Sequence, residues 1–160
     1  TFSNELEVYQ SKKGMHQLAL MVDYLNKIKT KGSSHLLDAV LQYKSYINSK
    51  SVIILISDFL IDPQEIEDAL TRLGRHEIKV IQVLDKVERE IAVEGDYMLK
   101  DAETNEMLRT FVTNRLRLKF RDDLDHHTAQ INDICSRFNA QFYKITTDTP
   151  LFDAFFEILK

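Results

Sequence analysis

The sequence predicts a doubly wound α/β domain, a mostly parallel sheet flanked by helices, with one inserted β-hairpin. Three observations carry that expectation: an all-aliphatic strand, a second strand reached through a helix, and a polar-centred strand pair interrupting the alternation. The aliphatic strand is Val52-Ile53-Ile54-Leu55-Ile56. Lacking any polar alternation, it is expected to be covered on both faces, as in a parallel sheet packed between helices. The second strand is Ile78-Lys79-Val80-Ile81-Gln82-Val83-Leu84. A helix between successive strands implies a right-handed crossover and parallel pairing. The pair is Tyr97–Lys100 and Met107–Val112, flanking the polar turn Asp101–Glu106, which reads as a hairpin at about 96–112.

The remaining elements follow in order. Leu6–Tyr9 alternates weakly and predicts a short first strand. Leu18, Met21, Val22, Leu25 and Ile28 recur at helical spacing from Met15 onward. Lys31-Gly32 ends that helix, and Ser33 or Ser34 suits the cap of the next, which carries Leu36, Leu37, Val40, Leu41 and Ile47. Asp62-Pro63 opens a third helix with the stripe Ile66, Ala69, Leu70, Leu73. A long helix from about Thr113 presents Leu116, Phe120, Leu124, Ile131, Ile134, Cys135 and Phe138. Phe142–Ile145 is a short last strand, and Thr149-Pro150 starts a final helix whose Phe152, Phe155 and Phe156 are expected in the core. The parallel strands 52–57, 78–84 and 141–145 are expected as neighbours in that order.

Composition bounds the function. At 160 residues, 44% hydrophobic, the chain suits one packed domain, residues 1–160. Net charge is −4 with both signs interspersed, so no basic field points to nucleic acid or an anionic membrane. The run Arg115, Arg117, Lys119, Arg121 is followed at once by Asp122, Asp123 and Asp125, and reads as a solvated helix face. A single Cys135 excludes an internal disulfide and suits a reducing, cytoplasmic setting. No apolar run is long enough to span a bilayer, so direct membrane insertion by this segment is not expected, and a parent protein would carry any anchor elsewhere.

In open α/β sheets, ligands gather beyond the carboxyl ends of the strands. Ser57-Asp58-Phe59, Asp85 and Thr146-Thr147-Asp148 fall there, and the loop Gly32-Ser33-Ser34-His35 can approach the same edge. Asp58 emerges from an apolar strand as a carboxylate suited to a hard cation such as Mg²⁺; a turn or capping role is the plain alternative. Ser34 is equally suited to be an N-cap. Asp148 fits a helix start and Asp85 a strand end. His126 and His127 are adjacent, so on a helix their rings diverge by about 100° and do not share an ion. Dinucleotide, phosphate-loop, nucleophile-elbow and zinc-helix motifs are absent.

Taken together, Phe2-Ser3-Asn4, Gly32-Ser33-Ser34-His35-Leu36 and Val52–Phe59 resemble, in order and spacing, a von Willebrand factor A domain. Leu84–Glu90, Leu99–Glu106 and Ile145–Pro150 are similar to the bacterial family catalogued as "domain of unknown function 58". The resemblance implies a Rossmann-like fold with a metal-ion-dependent adhesion site holding Mg²⁺. Asp58 matches the Asp after that family's later strand, and Ser34 falls where a Thr belongs. The Asp-x-Ser-x-Ser segment that supplies the other ligands is missing. The resemblance therefore implies an N-terminally truncated domain with a partial metal site, Asp58 and Ser34, filled by Mg²⁺ in the full-length parent.

The function so implied is a non-enzymatic protein-interaction module, accessory to a MoxR-type AAA+ ATPase, in which a partner carboxylate completes the Mg²⁺ shell. Two alternatives stand beside it. One is a metal-independent interaction module of the same fold; the other is a phosphoryl-transfer hydrolase with Asp58 as nucleophile, which needs a second carboxylate and a phosphate-binding cation. The hairpin is the expected interaction surface. A strand 52–57 left with one open edge is also expected to drive self-association, since unpaired buried backbone groups cost about 1–3 kcal/mol each.

Overall fold

A computed structural model describes residues 7–9, 13–28, 35–86, 95–100 and 107–159. The parallel order expected from the sequence is present. Strands β1 (Val52–Ser57), β2 (Glu77–Leu84) and β5 (Gln141–Thr146) form a sheet in the order β1-β2-β5. Both pairings are parallel, with Ile53 opposite Ile78 and Val80 opposite Phe142. Strands β3 (Gly95–Lys100) and β4 (Met107–Val112) pair antiparallel as a separate two-stranded ribbon, the inserted hairpin. Helices are α1 (Met15–Lys27), α2 (Leu36–Tyr43, continued by a 3₁₀ turn Lys44–Tyr46), α3 (Pro63–Leu73), α4 (Asn114–Arg137) and α5 (Leu151–Leu159). The chain is thus a mixed α/β fold with a parallel sheet flanked by helices.

The core lies on one face of that sheet. Ile53, Ile78 and Val80 meet Leu36 and Val40 of α2, Ile66, Ala69, Leu70 and Leu73 of α3, and Ile131, Ile134 and Cys135 of α4. Helix α3 sits at the centre because its stripe recurs at helical spacing and its ends are well specified. The Asp62 carboxylate caps it by accepting the Gln64 N–H at 2.8 Å, and Pro63 opens the first turn. Helix α3 also organises its neighbours. Glu65 accepts the Leu37 N–H at 3.1 Å, and Arg137 of α4 grips Glu67 with two hydrogen bonds of 2.8 and 2.9 Å. The cap of α2 therefore comes from another helix; its N-cap position is His35, rather than Ser33 or Ser34. Burial pushes the Cys135 thiol up to about 11, leaving it protonated and unreactive at neutral pH.

Three expectations fail here for physical reasons. Residues 7–9 are not a strand; they lie against α1, where the Tyr24 hydroxyl donates to Glu7 at 2.7 Å and the Tyr9 and Tyr24 rings stack at 5.1 Å. Leu6 falls outside the described residues. Among the described residues strand β1 is covered on one face only: Val52, Ile54 and Ile56, which point away from the core, are all exposed. Helix α5 packs on the β5 side of that second face, where Lys79 donates to the Ile158 carbonyl at 2.6 Å, and it leaves the β1 side bare. The Phe stripe is likewise not core. Ala154 and Ile158 are the buried positions of α5, while Phe152 and Phe156 are 80% and 73% exposed. The amphipathic α1 buries none of its residues.

His76 ties the turn after α3 to the start of β1, its Nδ1 accepting the Ser51 N–H at 3.2 Å. Burial, and then the nearby charges of Arg75 and Lys44, hold its pKa below the ordinary 6.5. The unfolded chain therefore takes up a proton near pH 6.5 that folded His76 refuses, so this contribution to stability is complete above that pH and is lost as the pH falls further. Urea midpoints measured at pH 7.5 and 5.5 should show a smaller drop for His76→Asn than for the wild type. Core truncation gives a second check. Ile66→Ala should cost about 2–5 kcal/mol in urea unfolding, and Phe152→Ala less than about 0.5 kcal/mol.

Candidate functional site

Parallel pairing carries the chain ends after β1, β2 and β5 to one edge of the sheet, where Asp58, Asp85 and Thr147 follow the strands directly. Their spacing is set by register. Ser57 lies opposite Gln82, so Asp58 comes level with Val83, and Asp85 stands two residues beyond it. Asp85 is engaged by Thr147, whose hydroxyl donates to its carboxylate at 2.8 Å while the Thr147 N–H donates to the Leu84 carbonyl at 3.1 Å. Lys86 pairs with Asp148 at 3.9 Å on the exposed rim. These contacts fasten the turn after β5 onto the end of β2.

The loop carrying Asp58 is tightly specified. Asp58 Oδ1 accepts the Leu60 N–H at 3.1 Å and the Ser57 hydroxyl at 3.3 Å, and the Ser57 hydroxyl accepts the Phe59 N–H at 3.1 Å. Phe59 adopts a left-handed φ of 53°, uncommon for a bulky residue and unfavourable by about 1–3 kcal/mol. Two contacts offset that strain. The ring is fully buried in the core, and His127 of α4 donates from Nε2 to the Phe59 carbonyl at 2.7 Å. Beneath the loop, the side chain of Gln82 has no solvent exposure at all. Its amide donates to the Asp58 carbonyl at 3.0 Å, and its oxygen accepts the Thr128 hydroxyl at 3.1 Å. Strand β2 and helix α4 together therefore set the position of the Asp58 carboxylate.

Gln82, His127 and Thr128 are the residues that sequence reading missed. Gln82 shares a sheet face with Ile78, Val80 and Leu84, and an amide in that apolar series was the available signal. Thr128 lies among the buried positions of α4, between Leu124 and Ile131. Of the expected metal ligands, Asp58 stands exposed at the edge, while Ser34 lies outside the described residues.

Among the described residues no group of three or more His, Cys, Asp or Glu side chains is placed to hold a metal ion. Asp58 Oδ1 already serves the turn, so a hard cation at Asp58 would have to be taken through Oδ2. An ion that keeps several waters can use one such oxygen.

The buried link gives a stability prediction. Gln82→Leu leaves the buried Thr128 hydroxyl without its partner, at a cost of about 1–3 kcal/mol, and also frees the part-buried Asp58 carbonyl. Adding Thr128→Val removes the stranded hydroxyl and should recover part of the loss, read from urea unfolding of both variants.

No curated protein and no solved structure matches the chain. A family described as "Protein of unknown function DUF58" matches residues 2–130, a span that includes β1, β2, the hairpin and the whole Asp58–Gln82–Thr128 link. The chain belongs to the DUF58 family.

Proposed function

We propose that this chain is a non-enzymatic protein-interaction domain of the von Willebrand factor A type, assisted by Mg²⁺ at Asp58 and accessory to a MoxR-type AAA+ ATPase in the cytoplasm. The hairpin carries the interaction reading. Asp96, Met98, Met107, Arg109 and Phe111 share one face of the ribbon, and Met98, Met107 and Phe111 are exposed, Phe111 by 66%. Unbranched Met beside an aromatic adapts to a partner surface. Arg109 bonds Asp96 across the strands, holding the ribbon's register and drawing the Asp96 carboxyl below the usual carboxylate range.

The fold type is supported by three parallel strands with Asp58 at their carboxyl edge. Membership of the DUF58 family supports the choice of ATPase, following the resemblance drawn from the sequence. A cytoplasmic setting is supported by the lone, buried Cys135. No helix among the described residues is long and apolar enough to cross a membrane.

A second reading, a metal-independent module, is favoured by the turn that already occupies Asp58 Oδ1. Calorimetric titration of Mg²⁺ separates the two. Binding heat that disappears in Asp58→Ala supports the metal-assisted reading, whereas identical traces favour the metal-independent one. For the hairpin, Met98→Ser with Phe111→Ser should weaken binding of a purified MoxR-type ATPase by about tenfold or more, with the melting temperature little changed. Unchanged affinity would remove the hairpin from the interface.

A further inference from the structure

We infer that the exposed first turns of α4 are a docking arm for an acidic amphipathic helix of a partner protein. The inference rests on the chain being an interaction domain, and on neither Mg²⁺ at Asp58 nor the hairpin. Thr128 bonds Gln82 near the carboxyl end of β2, and the chain then descends along α4 to Gln141, opposite Lys79. Helix α4 thus runs antiparallel to the sheet strands, and its earlier turns project past the carboxyl edge. From Leu124 onward buried residues recur along the helix, but none lies between Asn114 and Asp123.

Two triplets one turn apart shape this arm, Arg115-Leu116-Arg117 and Lys119-Phe120-Arg121. Leu116 and Phe120 fall on one apolar stripe, with a cation about 100° to either side of each. Both apolar side chains are exposed. Arg115, Lys119 and Arg121 are exposed as well, and among the described residues they form no ion pair. Cations in the first turns of a helix oppose its dipole, so helix stability does not account for them. They also oppose the sign of the whole chain, whose net charge is −4. The pattern selects the occupant by charge complementarity. A partner helix with an apolar residue every turn, flanked by Glu or Asp, matches both triplets, much as charged positions flank the seam of a coiled coil. A nucleic acid or an anionic bilayer offers one sign throughout, and Asp122, Asp123 and Asp125 follow the triplets at once. Those carboxylates repel a polyanion lying along α4, whereas a protein helix can change sign after two turns.

Fluorescence anisotropy of a labelled synthetic peptide tests this against the 160-residue chain in EDTA. The peptide has about three heptads with Leu along its seam and Glu on both flanks, which keep it monomeric by repulsion. Saturable binding is expected, weakened by added salt. Combining Arg115→Glu, Lys119→Glu and Arg121→Glu should weaken it by about tenfold or more, and a peptide with Lys in place of Glu should bind that triple variant instead of the wild type. Phe120→Ser should weaken binding of the Glu peptide by about tenfold. The triple variant places acids in the first turns of α4, so its melting temperature should hold or rise. A fall means that the cations serve the fold itself, and overturns the inference. Absence of binding overturns it, as does equal binding of a peptide of the same composition in scrambled order. A single-stranded oligonucleotide, or vesicles of phosphatidylglycerol, bound more tightly than the peptide through the same cations also overturn it. The peptide contains nothing of the ATPase, so the arm and the ATPase interface fail or succeed independently.

Discussion

Strand β2 is the constraint on which the structure depends. Among the described residues it alone has strand neighbours on both edges, β1 on one side and β5 on the other. Its Ile78, Val80 and Leu84 meet the helical layer, and Ile81 is buried on the opposite face. Where such a strand is fully buried, as at Gln82, a polar side chain has no access to water and must find its partners within the protein. Gln82 is where this demand becomes structural. Its amide has donors and an acceptor to satisfy, and it does so by binding the backbone of the β1 loop and a side chain of α4. A burden on the core is thereby turned into a bolt joining three elements.

Much of the fold was legible because it rests on periodicity. The stripe of α3, the Asp62-Pro63 start and the aliphatic run of β2 each specify an element locally, and the parallel order follows from the helices between strands. What was not legible depends on coverage. A run such as Val52–Ile56 reads the same whether one face or both are covered, because hydrophobicity records what a strand can bury and not what lies above it. The Phe residues of α5 misled for the same reason. Small Ala154 lets that helix approach the sheet, and the larger side chains are turned outward. The cap of α2 was hidden differently, since its acceptor, Glu65, lies 28 residues away from the Leu37 amide it serves.

The candidate site shows the same division. Asp58 was visible as a carboxylate at the end of an apolar strand. Its support was not, because Gln82, His127 and Thr128 converge on it from distant parts of the sequence. No local spacing relates a strand glutamine to a helix threonine 46 residues later. The strained Phe59 backbone also has no local signature, and it persists because core burial and a helix imidazole act on one residue from two directions.

Helix α4 has a mechanical consequence of its own. Its first buried residue is Leu124, so the segment from Asn114 to Asp123 extends about 15 Å beyond the packed part of the helix. Strand β4 ends at Val112 and Thr113 caps α4 directly, its hydroxyl accepting the Leu116 N–H at 3.2 Å, so no slack linker separates ribbon from helix. The exposed turns lead without a break into the packed stretch from Leu124 onward. At the start of that stretch His127 bonds the Phe59 carbonyl of the loop that holds Asp58, and Thr128 bonds Gln82, whose amide holds the Asp58 carbonyl. Ribbon, exposed turns and the two contacts that brace the Asp58 loop thus lie along one continuous stretch of chain, from Gly95 through Thr128.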